Sequence, residues 1–407
     1  MAAHPAVGIR SFRRMLFTLA AMVSSVAATA VSGDSLSLGR DSLTVHRIEV
    51  DAVSGLILHT NAFLRGNNPE VRTMNHSFMG RLKYAFAPPE NSVEARIYKG
   101  VYQGVGLGFH DFNPQLGHPV SLFIFQGATI KTLAPRLSLN YEWDFGVTYG
   151  WKAHDWRDNP ENRVIGSKMT AYIDADLYLR WMISKDWDLN VGATITHYSN
   201  GNTAIPNAGL NVAGARASVA YYFNRSGRRP AAVPLPAFKR HWGWDLTLYG
   251  AWKKKGVEAD EGAYALPTTY GVIGFTLNPL YHVNHWLNVG VSLDGSYDGS
   301  ANVEIDSQTL TLDSQTSDTD PDVYTAPWYK KVALGLSART EFVMPYFTIN
   351  FGIGHNFVNA HTFDLKGFYE ILALKINIMR QAYLHIGYSL YDFYYPNNLM
   401  LGLGLHL

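Results

Sequence analysis

Apolar and polar residues alternate one by one along most of this chain, in runs of ten or more separated by turn-rich gaps. A period of two is that of a β-strand, whose successive side chains point to opposite faces of a sheet. Sixteen such runs stand near 46–58, 76–87, 95–109, 119–130, 136–150, 168–182, 186–199, 210–223, 241–253, 268–279, 286–297, 328–342, 346–356, 367–379, 382–393 and 398–407. Connections after odd-numbered runs tend to be long, as at 59–75, 151–167, 254–267 and 298–327. Those after even-numbered runs are mostly short, as at Leu133-Ala134-Pro135, Ser184-Lys185 and Met344-Pro345. Strands of this length with such asymmetric connections predict an all-β fold, an antiparallel transmembrane β-barrel.

The alternation also assigns faces. In 171–181 the odd positions Ile173, Ala175, Leu177, Leu179 and Trp181 are apolar, whereas Asp174, Asp176 and Arg180 are charged. The same parity holds in 137–147, with Leu137, Leu139, Tyr141, Trp143 and Phe145 outside and Asn140, Glu142 and Asp144 inside. Odd positions therefore face lipid, and the charged even positions are read as a hydrogen-bonded filling of the lumen.

One even-to-odd connection breaks the rule of short turns: 224–240 is long and rich in Pro and Arg, as a linker is. The halves on either side resemble each other. Pro135-Arg136-Leu137-Ser138-Leu139-Asn140-Tyr141 parallels Pro345-Tyr346-Phe347-Thr348-Ile349-Asn350-Phe351, and Leu189-Asn190-Val191-Gly192 parallels Leu384-His385-Ile386-Gly387. Two tandem eight-stranded units are expected, at 31–223 and 241–407; one sixteen-stranded barrel would give the same strand count.

Composition narrows the setting. Arg10, Arg13 and Arg14 precede the apolar run Met15 to Val26 and then Ala28-Thr29-Ala30, the order of a secretory signal peptide over 1–30. No later segment approaches the ~20 apolar residues of a spanning helix. The chain of 407 residues is 16% charged and 13% aromatic with a formal net charge of +1, which suits a membrane surface and offers no basic field for nucleic acid. With no cysteine there is neither a disulfide framework nor a thiolate site. These features place the protein in the outer membrane of a Gram-negative-type envelope.

Most catalytic motifs are missing. Phosphate loops, HExxH and GxSxG elbows are absent, and the GxGxG of Gly104, Gly106 and Gly108 lies within a strand with no helix after it. His282 and His285, or His110 and His118, lack a supporting cluster, so no metal and no cofactor is expected. The informative stretch is Thr196-His197-Tyr198-Ser199-Asn200-Gly201 followed by Pro206-Asn207-Ala208-Gly209-Leu210-Asn211. His197 and Ser199 share a face, and parity traced from Trp187 makes it the lipid face; Asn211 looks outward from the next strand. Polar groups there cost free energy. Two readings stand side by side: polar residues at a membrane interface, or acyl transfer with Ser199 as nucleophile, His197 as base and a third polar group holding the imidazole. In the second, backbone N–H groups around Asn200 and Gly201 hold the oxyanion.

The stretch resembles the active-site signature of the lipid A 3-O-deacylase family of outer-membrane barrels, His-x-Ser-Asn followed by Pro-Asn-x-Gly, matched by His197, Ser199, Asn200, Pro206, Asn207 and Gly209. The likeness covers roughly 45–223, and the whole chain is similar to the longer acyloxyacyl-hydrolase-like proteins of Bacteroides-type bacteria. The resemblance implies a serine esterase that removes an ester-linked acyl chain from lipid A, so that lipid A or lipopolysaccharide is the partner. The family's third member, a glutamate, is Asn211 here, an amide that orients an imidazole but adds no charge. In the second unit the positions equivalent to His197 and Ser199 are Asp392 and Tyr394, which leaves one active site per chain. The competing reading is a catalytically inactive structural, adhesive or pore-type barrel, with the acidic loop 302–322 as its contact surface.

Entry of the chain from the periplasm puts odd-to-even connections outside the cell. A cysteine replacing Asn202 is expected to react with a membrane-impermeant maleimide on intact cells, and one replacing Ala231 only after lysis. The opposite pattern inverts the strand assignment.

Overall fold

The computed structural model describes residues 44–155, 157–226, 234–259, 262–305, 323–365, 367–393 and 395–407. The first barrel comprises β1 (Val45–Leu58), β2 (His76–Ala87), β3 (Tyr102–Asp111), β4 (Gly117–Ala134), β5 (Leu137–Trp151), β6 (Met169–Met182), β7 (Trp187–Ser199) and β8 (Leu210–Tyr222). It is antiparallel throughout and closes by pairing β8 with β1, from Arg47 opposite Tyr222 to Leu58 opposite Asn211. The second comprises β9 (His241–Ala259), β10 (Gly262–Asn284), β11 (Leu287–Asp298), β14 (Val332–Val343), β15 (Phe347–Val358), β16 (Phe368–Met379), β17 (Ala382–Tyr391) and β18 (Tyr395–His406), with β18 closing on β9. Two short strands, β12 (Val303–Ile305) and β13 (Val323–Thr325), pair as a separate ribbon after β11. The sixteen-stranded alternative is therefore excluded: two eight-stranded barrels stand in tandem.

Three predicted elements are redrawn. The run expected at 95–109 begins with a helical turn, α1 (Val93–Ile97), because Ser92 accepts the amide of Ala95 at 3.1 Å, with Glu94 in its first turn and Arg96 in its last. The loop expected at 254–267 is largely strand, since β9 and β10 run on beyond the barrel wall as a long hairpin that pairs Ala259 with Gly262. The run at 328–342 starts with a 3₁₀ turn over Trp328–Lys330. The signal peptide, residues 227–233 of the linker and residues 306–322 of the acidic loop lie outside the described residues.

Alternation becomes alternate burial. Along β7, Asp188, Asn190, Thr194, Thr196 and Tyr198 are buried while Trp187, Val191, Ala193 and Ile195 are exposed. Polar side chains fill the interior and apolar ones coat the outside, the distribution of a barrel whose solvent is hydrocarbon. The GxGxG of β3 is a packing device. A Cβ on Gly106 would strike the ring of Phe123, and one on Gly108 the Ser121 hydroxyl, so bare backbone lets neighbouring lumen side chains fill the bore.

The first lumen holds a web of charge. Arg81 reaches Asp51 at 2.7 Å, Asp174 at 2.8 Å, Asp144 at 2.9 Å and Asp176 at 3.2 Å. Arg216 bonds Asp51 at 2.7 Å, Glu49 at 2.9 Å and also Asp176, and Lys83 bonds Glu142 at 2.6 Å. Asp174, Asp176 and Glu142 thus lie where parity put them, while Arg180 sits at the margin, 3.9 Å from Asp188. Arg81 ties four strands together, because its carboxylates come from β1, β5 and β6. The second lumen repeats the theme with Lys375 between Asp245 and Glu341, and Arg339 on Asp294.

Removing one partner from a buried web strands the others as uncompensated charges, at a cost of about 3–5 kcal/mol. Arg81→Ala is therefore expected to lower the temperature at which the compact band is lost in heat-modifiability gels, whereas Arg180→Ala is expected to leave it nearly unchanged.

Candidate active site

The hairpin 200–209 joins β7 to β8 at the rim that carries the long loops. Loop 152–168 underlies it. Asn162 accepts the amides of Val164 and Ile165 at 3.0 and 3.2 Å and donates to the Lys152 carbonyl at 2.9 Å, fixing the loop while Val164 and Ile165 are fully buried. Its carbonyls then receive the hairpin: the Ala208 amide donates to Arg163 and the Gly209 amide to Val164, both at 3.2 Å. From the β1–β2 loop the Thr60 hydroxyl donates to the Gly209 carbonyl at 3.3 Å. Gly209 has φ +74°, and a Cβ there would lie 3.2 Å from His197 Cε1. The glycine of the Pro-Asn-x-Gly turn is thus required both by its backbone conformation and by the imidazole beside it.

His197, Ser199 and Asn211 all carry outward, partly exposed side chains. His197 stands directly opposite Asn211 in the β7–β8 register, and its Nδ1 lies 2.6 Å from Asn211 Oδ1. An amide oxygen has no hydrogen to give, so Nδ1 carries the proton and Nε2 is left with the lone pair a base needs. Ser199 is held differently from expectation. Its Oγ accepts from Asn207 Nδ2 at 3.0 Å and from the Gly201 amide at 3.2 Å, rather than bonding His197. Asn207 Oδ1 in turn accepts the Asn200 amide at 3.1 Å. Asn200 contributes its backbone N–H, while its own side chain is buried without a hydrogen-bond partner among the described residues.

Asn207 is the residue that spacing alone did not single out for a role. It lies in the turn motif, but the motif's curl, which brings residue 207 back over Ser199, is a property of the folded hairpin. Donors surround the Ser199 oxygen, and the N–H of Gly201 with the side-chain amide of Asn207 form a cradle for negative charge.

A second serine–histidine pair lies within the lumen. His110 Nε2 is 2.9 Å from Ser121 Oγ, and its Nδ1 is 2.9 Å from the Tyr198 hydroxyl. All three are buried under Phe112, Trp151 and Tyr172, so this pair is structural filling. Glu142, Asp144 and Asp176 bring carboxylate oxygens within 4.8 Å of one another. Each already pairs with Arg81, Lys83 or Arg216. His118 pairs with Asp111 at 2.8 Å and His282 stacks on His241; among the described residues neither belongs to a cluster of metal-ligating groups. An apolar hollow of about 660 Å³ on the outer wall, lined by Leu137, Leu179, Trp181, Leu189 and Val191, lies near the far end of β7. It is separated from Ser199 by roughly 27 Å of strand.

Residues 130–220 match the family model "Lipid A 3-O-deacylase (PagL)", and residues 242–407 match "Acyloxyacyl hydrolase, C-terminal domain". Among solved structures, the outer membrane enzyme PagL aligns at 14% identity and a TM-score of 0.29, over 42% of this chain and 97% of its own. Neisserial surface protein A aligns at 10% identity and a TM-score of 0.29, over 44% and 97%. No curated protein matches. The barrels and the matched families together place the protein in the outer membrane.

Gly209→Ala forces a left-handed conformation costing about 1–2 kcal/mol on a side-chain-bearing residue and crowds His197. We expect the folded variant to lose roughly tenfold or more in ester hydrolysis. An unchanged rate would show that His197 has slack.

Proposed function

We propose that Ser199 hydrolyses an ester-linked acyl chain of lipid A from the lipid-facing wall of the first barrel, a reading supported by the match of residues 130–220 to the lipid A 3-O-deacylase family model and of residues 242–407 to the acyloxyacyl hydrolase C-terminal domain model. The observation that carries this reading is the His197–Asn211 contact, which fixes the basic tautomer on the surface where a lipid ester arrives. Ser199 turns its hydroxyl from Asn207 towards His197 Nε2, a change between staggered rotamers; such bonds often tighten only with substrate. As the Oγ–carbon bond forms, the proton passes to Nε2 and the carbonyl oxygen becomes an oxyanion facing the Gly201 amide and Asn207 Nδ2. Collapse breaks the ester bond, and His197 gives its proton to the departing alkoxide. Water, deprotonated by the same imidazole, then releases the fatty acid.

The surroundings support a lateral approach. Ala171 lies opposite Ser199 on β6, and Ala213, Ala215 and Ala217 follow Asn211 along the outward face of β8. Small side chains there leave a shallow track of about 20 Å down the wall, along which an acyl chain lies in the membrane. Asn211 supplies orientation without charge. In serine triads an Asp→Asn change costs about 10⁴ in kcat through the wrong tautomer; here the oxygen faces Nδ1, so the tautomer is retained and only the charge stabilisation is missing.

Mass spectrometry of lipid A from cells expressing the chain is expected to show loss of one acyl chain, abolished by Ser199→Ala. Asn211→Leu is expected to slow the reaction, and Asn211→Glu to speed it if the longer side chain fits beside His197. Lipid A left intact by the parent and every variant would replace this reading with the non-enzymatic barrel.

A further inference from the structure

The catalytic hairpin does not end at the first barrel. Its tip leans on the second, at the place where β9 and β18 run side by side. The Lys254 amide of β9 donates to the Asn202 carbonyl at 2.9 Å, and Asn202 Nδ2 donates to the Pro396 carbonyl of β18 at 3.3 Å. Leu399 of β18 packs against Gly201 so closely that a Cβ on that glycine would lie 2.7 Å from Leu399 Cγ. The receiving surface is itself braced, because Lys253 bonds Asp298 at 2.5 Å and the Asn397 side chain at 3.2 Å.

Asn202 has a second end. Its Oδ1 accepts from Asn207 Nδ2 at 3.3 Å, and the same nitrogen donates to Ser199 Oγ at 3.0 Å. One line of hydrogen bonds therefore runs from the nucleophile through Asn207 and Asn202 to the backbone of the other barrel. Gly201 and Asn202, both at positive φ, form a turn that a hairpin in water would sample among others. The contacts from Lys254, Pro396 and Leu399 select one of its shapes, the one that aims the Gly201 amide at Ser199.

We propose that the second barrel is a working part of the esterase site: through Pro396, Lys254 and Leu399 it clamps the 200–209 hairpin, with Asn202 as the positioning residue that passes the constraint to Asn207 and Gly201. This rests on the reading of Ser199 as nucleophile. The second barrel, which carries Asp392 where the first carries His197, then has a task that needs no nucleophile of its own.

The test uses the full chain, purified in detergent, with two readouts: kcat and KM on lipid A, and the rate at which a fluorophosphonate labels Ser199. Asn202→Asp keeps an oxygen for Asn207 and removes the donor to Pro396; Leu399→Ala alters only the second barrel. Both are expected to lower kcat and the labelling rate roughly tenfold with KM within about twofold, the effect of one lost orienting contact. Leu399→Met is expected to restore most of the rate. If the parent is active and Ser199→Ala inactive, yet Asn202→Asp or Leu399→Ala, whichever folds, matches the parent in both readouts, the clamp is refuted while the esterase reading stands. A parent that neither hydrolyses lipid A nor takes the label refutes the nucleophile, and the clamp with it.

Discussion

A backbone in hydrocarbon has no water to bond, so every amide and carbonyl must find a partner within the protein. In a sheet this demand is met only by closure, and the pairings of β8 with β1 and β18 with β9 supply it. Closure at eight strands leaves a bore just wide enough for side chains. Arg81, Arg216, Lys83 and their carboxylates then occupy that bore because no apolar solvent reaches it. A filled lumen has no room for a lipid. Any chemistry on a lipid is thereby confined to the outer wall, the face on which His197, Ser199 and Asn211 stand.

The two serine–histidine pairs make the point by contrast. His110 and Ser121 are hydrogen-bonded directly, at 2.9 Å, with a third group on the far ring nitrogen. They are sealed beneath aromatic rings with no path for an ester. His197 and Ser199 are hydrogen-bonded to Asn211 and Asn207 rather than to each other, but lie on the face that lipid covers. Access and the ring of donors around Ser199 set the proposed site apart from a packing motif, and hydrogen-bond geometry between two side chains does not.

How much of this was legible in the residues follows from the range of the forces involved. The period of two is local, so strand parity, and with it the outward direction of His197, Ser199 and Asn211, could be read directly. The tandem division was also legible, from the linker and the repeated Pro-Arg-Leu-Ser-Leu-Asn-Tyr-like segments. The hub role of Arg81 was not, because its carboxylates come from strands up to 95 positions away. The role of Asn207 depended on the curl of a hairpin, and the contacts of Asn202 on residues 396 and 254, which no local pattern connects. The extension of β9 and β10 is not legible because Lys254-Lys255-Gly256 reads as a solvated loop, whereas cross-strand pairing keeps it extended.

Each closed sheet is complete, with no edge left to recruit another strand. Such a chain does not grow by inserting a hairpin into an existing wall, since that would change the bore and the fit of everything inside it. A second closed cylinder is a finished, self-sufficient object, whose side chains can change without endangering its neighbour's fold.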